Sequence, residues 1–210
     1  MINEENYMNI FDRVKNILFR PGEEWQVIDK EMITVGPLYT GYIIPLALIG
    51  PVCSVIGISV FGMNIPMAGT IRLPFISVLS HGILSFVLSV ASVYIVALIV
   101  DGLAPVFSGQ KNMDQALKVT AYSSTAAWVV GVFSLVPALA LLGLLGLYSF
   151  YLLYRGLPVL MRAPQEKGLA YTVVVIICAI VVFVVMAMIS AMLLPTPAVD
   201  LPMPGAMPGK

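Results

Sequence analysis

Residues 119–154, VTAYSSTAAWVVGVFSLVPALALLGLLGLYSFYLLY, run for 36 positions without Asp, Glu, Lys or Arg. As one α-helix the stretch would be about 54 Å long at 1.5 Å per residue. A bilayer hydrocarbon core is only about 30 Å thick. Pro137 stands near its middle, where a missing N–H and a ring clashing with the preceding turn break a helical ladder. The stretch therefore reads as two membrane spans joined by a tight turn near Leu135–Ala138.

Three further stretches carry no charge: Met32–Ile71, Leu73–Val100 and Gly168–Val199. About 20 apolar residues suffice for one crossing, so five helices are expected, at about 38–62, 74–101, 116–136, 138–161 and 169–194. Composition agrees. The chain is 60% hydrophobic and 10% charged, with a mean hydropathy of +0.98, whereas soluble domains carry roughly 25% charge. The fold class read from these patterns is an all-α membrane protein: a bundle of five transmembrane helices with an N-terminal cytoplasmic amphipathic helix.

Charge placement supports the count. With five spans, Arg13, Lys15, Arg20, Lys30, Lys111, Lys118, Arg155, Arg162 and Lys167 fall on one side, against Arg72 and Lys210 on the other. Treating 119–154 as a single span weakens that nine-to-two asymmetry to seven against four. Basic loops stay in the cytoplasm, so the N-terminus is expected inside and the C-terminus outside, in a cytoplasmic (inner) membrane.

Three regions follow. Residues 1–34 are polar and mixed in charge, the pattern of a cytoplasmic segment rather than of a secretory leader. Within them Tyr7, Ile10, Phe11, Val14, Ile17 and Leu18 recur at helical spacing, with Asn9, Asp12, Arg13, Lys15 and Asn16 assigned to the opposite face. Pro21 opens a second short helix whose first turn holds Glu23 and Glu24 and whose anchoring side holds Trp25 and Ile28. Residues 35–194 form the transmembrane domain. Residues 195–210 contain five prolines and are expected to be a disordered extracytoplasmic tail.

Ionisable residues inside a span are expensive and mark candidate sites. His81 shares a face of the second span with Ser77, Ser85 and Ser89 at four-residue spacing. That stripe suits a proton or ion pathway, or a packing seam in which small residues let helices approach. Asp101 lies 20 residues further on, about 30 Å along a helix, at the cytoplasmic end. Lys118, Tyr122, Ser123, Tyr154 and Arg155 are its candidate neighbours, as partners fixing helix ends or as a polar pocket for a ligand or headgroup. Pro45 and Pro51 should kink the first span. Catalytic and metal sites are not expected. One His and two cysteines, Cys53 and Cys178 in apolar surroundings, cannot make a Cys/His zinc cluster, and no hydrolase or nucleotide-binding motif is present. No cofactor is expected, and balanced charge argues against a nucleic-acid partner. The expected partners are the bilayer, anionic lipid headgroups, and a cytoplasmic or membrane protein or a second copy of the chain.

The order of segments resembles a known family. Pro21-Gly22-Glu23-Glu24-Trp25 precedes Gly36-Pro37-Leu38-Tyr39 and a first span containing Pro45. Ala121-Tyr122-Ser123-Ser124-Thr125 follows, with Trp128, Gly131 and Pro137. The run Tyr151-Leu152-Leu153-Tyr154-Arg155-Gly156-Leu157-Pro158 comes last, followed by Pro164, Lys167 and Tyr171. Over roughly residues 9–194 this is similar to the bacterial branch of the Yip family, whose eukaryotic members are Golgi and ER membrane proteins that interact with Rab GTPases. The resemblance implies a five-span, N-inside bundle and transfers no enzymatic residue. The long acidic-aromatic N-terminal region of the eukaryotic members is missing here. The function expected is that of a non-enzymatic multi-pass membrane protein acting through helix packing, lipid contact or a cytoplasmic partner. The competing expectation is a small channel or transporter built on the kinked first span and the Ser77/His81/Ser85/Ser89 stripe.

Overall fold

The computed structural model describes residues 9–65 and 69–194. The chain opens with α1 (Ile10–Phe19), whose N-cap Asn9 accepts from the Phe11 N–H at 3.2 Å. Such a cap satisfies one of the donors that a helix start leaves free. Pro21 disfavours helical backbone at Arg20, so α1 stops there and α2 (Pro21–Lys30) begins at once, with Glu23 and Glu24 in its first turn and Lys30 in its last. That charge order complements the helix dipole.

The first membrane-length helix, α3 (Val35–Phe61), is irregular. It widens into a π-helical stretch at Tyr39–Ile43 and breaks at Leu48. Both irregularities lie just upstream of Pro45 and Pro51, which have no N–H to donate to the carbonyl four residues back. Gly62 ends the helix at φ 78°, a left-handed backbone that glycine adopts without penalty. A two-stranded antiparallel ribbon follows, β1 (Met63–Ile65) against β2 (Gly69–Ile71), paired Met63 to Ile71. Then comes α4 (Phe75–Phe107), whose last turn, Ala104–Phe107, tightens to 3₁₀ geometry.

The stretch expected to hold two spans is a hairpin of broken helices. It runs through α5 (Met113–Ser123), α6 (Thr125–Val130), a 3₁₀ segment Gly131–Leu135, an extended Val136, a 3₁₀ segment Pro137–Leu147 and α7 (Tyr148–Leu160). The break between α5 and α6 has a local cause. Ser124 Oγ donates to the Thr120 carbonyl at 2.8 Å and Thr125 Oγ1 to the Tyr122 carbonyl at 2.7 Å, and hydroxyls bonded this way compete with the ladder and bend it. The limbs run antiparallel. The Gln110 N–H, just before α5, donates to the Met161 carbonyl, just after α7, at 2.8 Å, while the Ser134–Leu135 backbone lies against Gly57, toward the far end of α3. The chain ends its described part with α8 (Gln165–Leu193).

Among the described residues, four helices are long and apolar enough to cross a membrane: Val35–Phe61, Phe75–Phe107, Leu141–Leu160 and Gln165–Leu193. The expected span at about 116–136 is not among them, because its helix is interrupted at Ser124 and tightens at Gly131. The expected span at about 138–161 is 3₁₀-helical for its first half. The proline-rich segment 195–210 lies outside the described residues, as does Tyr7 of the expected amphipathic face.

Burial is uneven along the bundle. The core clusters at the end bearing α1 and α2, around Trp25, Ile28, Tyr42, Val100, Leu117, Tyr122, Leu152 and Tyr171. Toward the other end, Val60, Phe61, Phe75, Ile76, Leu141, Leu144, Phe183 and Met192 are all more than half exposed. An apolar surface of that extent marks a membrane or protein contact.

Candidate functional site

The polar groups converge where α1 and α2 meet α5 and α7. Arg13 is only 4% exposed. Its guanidinium pairs with Glu24 on α2 and with Glu31 just beyond it. It also lies 5.5 Å from the centre of the Tyr122 ring, within cation–π range. Tyr122 is flanked edge-on by Tyr42 at 4.6 Å and by Trp25 at 6.5 Å between ring centres. Tyr42 shares a 2.7 Å hydroxyl–hydroxyl hydrogen bond with Thr125. Burial alone would disfavour the Arg13 charge, but its coupling to Tyr122, Glu31 and Glu24 outweighs that, so its pKa lies above the ordinary arginine value.

Lys118 is 2% exposed and donates to two backbone carbonyls, of Ile28 at 2.8 Å and Glu31 at 2.9 Å. Helix ends leave such carbonyls unpaired and favour a cation, so Lys118 acts as the C-cap of α2. Gln115 Nε2 donates to the Asp29 carbonyl at 3.1 Å, and Arg162 pairs with the Asp29 carboxylate at 2.9 Å. Tyr148 donates to the Leu18 carbonyl at the end of α1 at 2.9 Å. Gly156 admits the Trp25 indole: a Cβ there would meet Trp25 Cζ2 and Val119 Cγ2, both at 2.7 Å. The two short helices are thus bolted onto the bundle by an ion-pair network, a lysine cap and an aromatic plug.

The structure divides the expected cytoplasmic cluster. Lys118 and Tyr122 belong to the network, with buried Ser123 beside them on α5. Lys118 serves α2, not Asp101. Asp101 Oδ1 is buried without a hydrogen-bond partner among the described residues, and Tyr154 and Arg155 point outward from α7. The stripe on α4 is partly self-satisfied: Ser85 Oγ donates to the Gly82 carbonyl at 2.9 Å. His81 is half-buried and Pro51 likewise, whereas Pro45 is exposed. Next to His81, Gly82 lies so close to α3 that a Cβ would sit 2.4 Å from Val55 Cγ2.

Two assignments on α1 are corrected. Phe11, expected on one face with Ile10, Val14 and Ile17, is 78% exposed. Arg13 does not lie on the outer polar face of α1; it is buried with Ile17. The signal was present, since Arg13 follows Ile10 by three residues and precedes Ile17 by four, which puts all three on one face. A charge inside an apolar arc calls for a buried counter-ion. Glu24 and Glu31 sit 11 and 18 positions away on other segments, which no local periodicity reveals.

The chain is similar to the Inner membrane protein YohC of Escherichia coli strain K12, 25% identical over 163 residues covering 76% of this chain and 84% of that protein. The YohC protein of E. coli O6:H1 matches with the same figures. No solved structure matches it. The family model described as the Yip1 domain matches residues 15–187, from α1 through most of α8, and so spans both the docked N-terminal helices and the apolar bundle; the chain belongs to the Yip1 domain family.

Proposed function

We propose that this protein is a non-enzymatic, five-span protein of the bacterial inner membrane, with its N-terminus in the cytoplasm, that acts through a folded cytoplasmic cap contacting lipid or protein. The relatives named as inner membrane proteins support the location. The observation that carries the reading is the cap itself: α1 and α2 are locked to the bundle through Arg13, Lys118 and Trp25. A rigid surface held by buried charges suits recognition, whereas groups already paired with one another are not free for chemistry. The antiparallel hairpin limbs support the fifth crossing. If Leu141–Leu160 crosses outward to inward, the 113–135 limb crosses the other way, because Gln110 and Met161 are bonded at one end.

Cysteine accessibility tests the topology. On a background lacking Cys53 and Cys178, a thiol placed at Lys111 or Arg162 should react only after the cells are permeabilised, and one at Arg72 should react in intact cells. Labelling at Arg162 from outside overturns the five-span reading. The channel reading is less well supported, because Pro45 is exposed and Ser85 bonds within its own helix. Purified protein in liposomes should pass no protons; a flux abolished by His81→Ala would reverse the assignment.

A further inference from the structure

We infer that α1 is a three-faced interfacial helix whose outer apolar arc, Phe11 and Phe19 around Lys15, is seated in the cytoplasmic leaflet. This rests on the membrane reading proposed above and adds where the bilayer ends.

At about 100° per residue, α1 divides into three arcs. Ile10, Arg13, Val14 and Ile17 face the bundle, where Arg13 and Ile17 are buried. Asp12 and Asn16 share a polar arc. Between them, Phe11, Lys15 and Phe19 follow one another at four-residue spacing; Phe11 is 78% and Phe19 79% exposed. Two bare phenylalanines on one side of a helix whose opposite side is already packed need a second apolar phase. The flanking Lys15 and Arg20 are exposed too and complement anionic headgroups, at about 1 kcal/mol per well-placed cation.

Hydrogen bonds fasten this face beside the apolar belt. On α4, Phe75–Tyr94 is 20 residues, about 30 Å and one hydrocarbon thickness. Tyr94 is exposed there, as an interfacial aromatic should be. Tyr39 donates to the Val90 carbonyl, one turn to the bilayer side of Tyr94, at 3.4 Å. Further along α3 in the same direction, Tyr42 bonds Thr125. The neighbouring Ala127 N–H donates to Ser149 Oγ at 3.0 Å, and Tyr148 donates to the Leu18 carbonyl. Tyr148 directly follows the exposed Leu144, Leu145 and Leu147, so Leu18 and its helix lie on the bilayer side of the Tyr94 level, beside the belt of exposed apolar side chains. An interfacial helix buries its apolar arc about 5–10 Å into the headgroup and acyl boundary. It follows that α2, the Lys118 network and the ends of α4 and α8 stand above the leaflet as a cytoplasmic dome, with Asp101 inside protein rather than at the membrane surface.

Single nitroxide labels test this in vesicles of phosphatidylcholine and phosphatidylglycerol, using the full chain without its two native cysteines. Labels at Phe11→Cys and Phe19→Cys should collide more with oxygen than with a water-soluble nickel chelate. Lys30→Cys, exposed on α2 above the leaflet, should show the reverse. Phe183→Cys on α8 is the bilayer control, and retained blue-shifted Trp25 emission reports that each variant has folded. Greater nickel access at positions 11 and 19 overturns the inference, and protection from both reagents overturns it in favour of a protein cover. If position 183 also lacks oxygen preference, the membrane reading itself has failed.

Discussion

The capped end of the molecule and the end near Val136 use much the same apolar residues but cohere differently. At the capped end, large side chains fill space: Trp25, Tyr122, Tyr171 and Leu157 are each at most 2% exposed, and a buried ion-pair network crosses between elements. Toward the other end glycines carry the contacts. A Cβ on Gly131 would meet Gly50 Cα at 2.8 Å, and one on Gly57 would meet the Ser134 and Leu135 carbonyl oxygens at 2.5 and 2.7 Å. On the membrane reading proposed above, the difference follows the solvent. Burying apolar surface from water stabilises a fold by about 25 cal/mol per Å², so a water-facing end gains from bulk. Between helices in lipid that drive is absent, and close backbone approach at small residues replaces it.

The comparison can be broken from either end. The largest effect is expected at Arg13. Arg13→Ala leaves the Glu24 carboxylate, with its side chain 5% exposed, unpaired in the interior, a loss of about 3–5 kcal/mol. Thermal unfolding in detergent should shift down, and Trp25 emission should move red, read in a Trp128→Phe background. Replacing all three members, R13M with E24L and E31L, should recover most of that loss, because apolar residues of similar volume often match a buried ion pair or triad.

Gly131→Ala should cost about 1–3 kcal/mol by overpacking while leaving Trp25 emission unchanged, since the strain lies at the other end. Coupled shifts in both readouts would show that the two ends fold as one unit. Lys118→Met removes the donor shared by the Ile28 carbonyl of α2 and the Glu31 carbonyl just beyond it, an unsatisfied group costing about 1–3 kcal/mol. Amide exchange should quicken at the C-terminus of α2 before it does in α5. The smallest effect is expected at His81. It makes no hydrogen bond among the described residues, and His81→Ala should change stability by about 0.5 kcal/mol or less. A larger loss would mean that the stripe on α4 holds the bundle.

How much of this was legible varies with the range of the cause. Pro137 and the length of the uncharged run 119–154 are enough to require a reversal, and the chain turns at Val136. The irregular turns in α3 likewise lie beside Pro45 and Pro51, because a missing donor acts within one helical turn. The 3₁₀ form of Pro137–Leu147 carries no comparable local mark. The cluster expected around Asp101 was assembled from depth alone. Depth along a helix does not say which way a side chain faces, so Lys118 could be placed near the right height and given the wrong partner.

By itself the sequence determined the solvent and the helical scaffold: runs this long without charge fit a bilayer, where helices or closed barrels alone satisfy the backbone. Both properties sum over neighbouring residues and survive without knowing any contact. Tertiary structure alone decided that Arg13 is a keystone rather than a surface charge, and that the N-terminal helices are part of the core. Those outcomes depend on Glu24, Glu31, Lys118 and Tyr122 meeting from α2, the residues just after it and α5, and a buried charge is tolerated only where such partners arrive together.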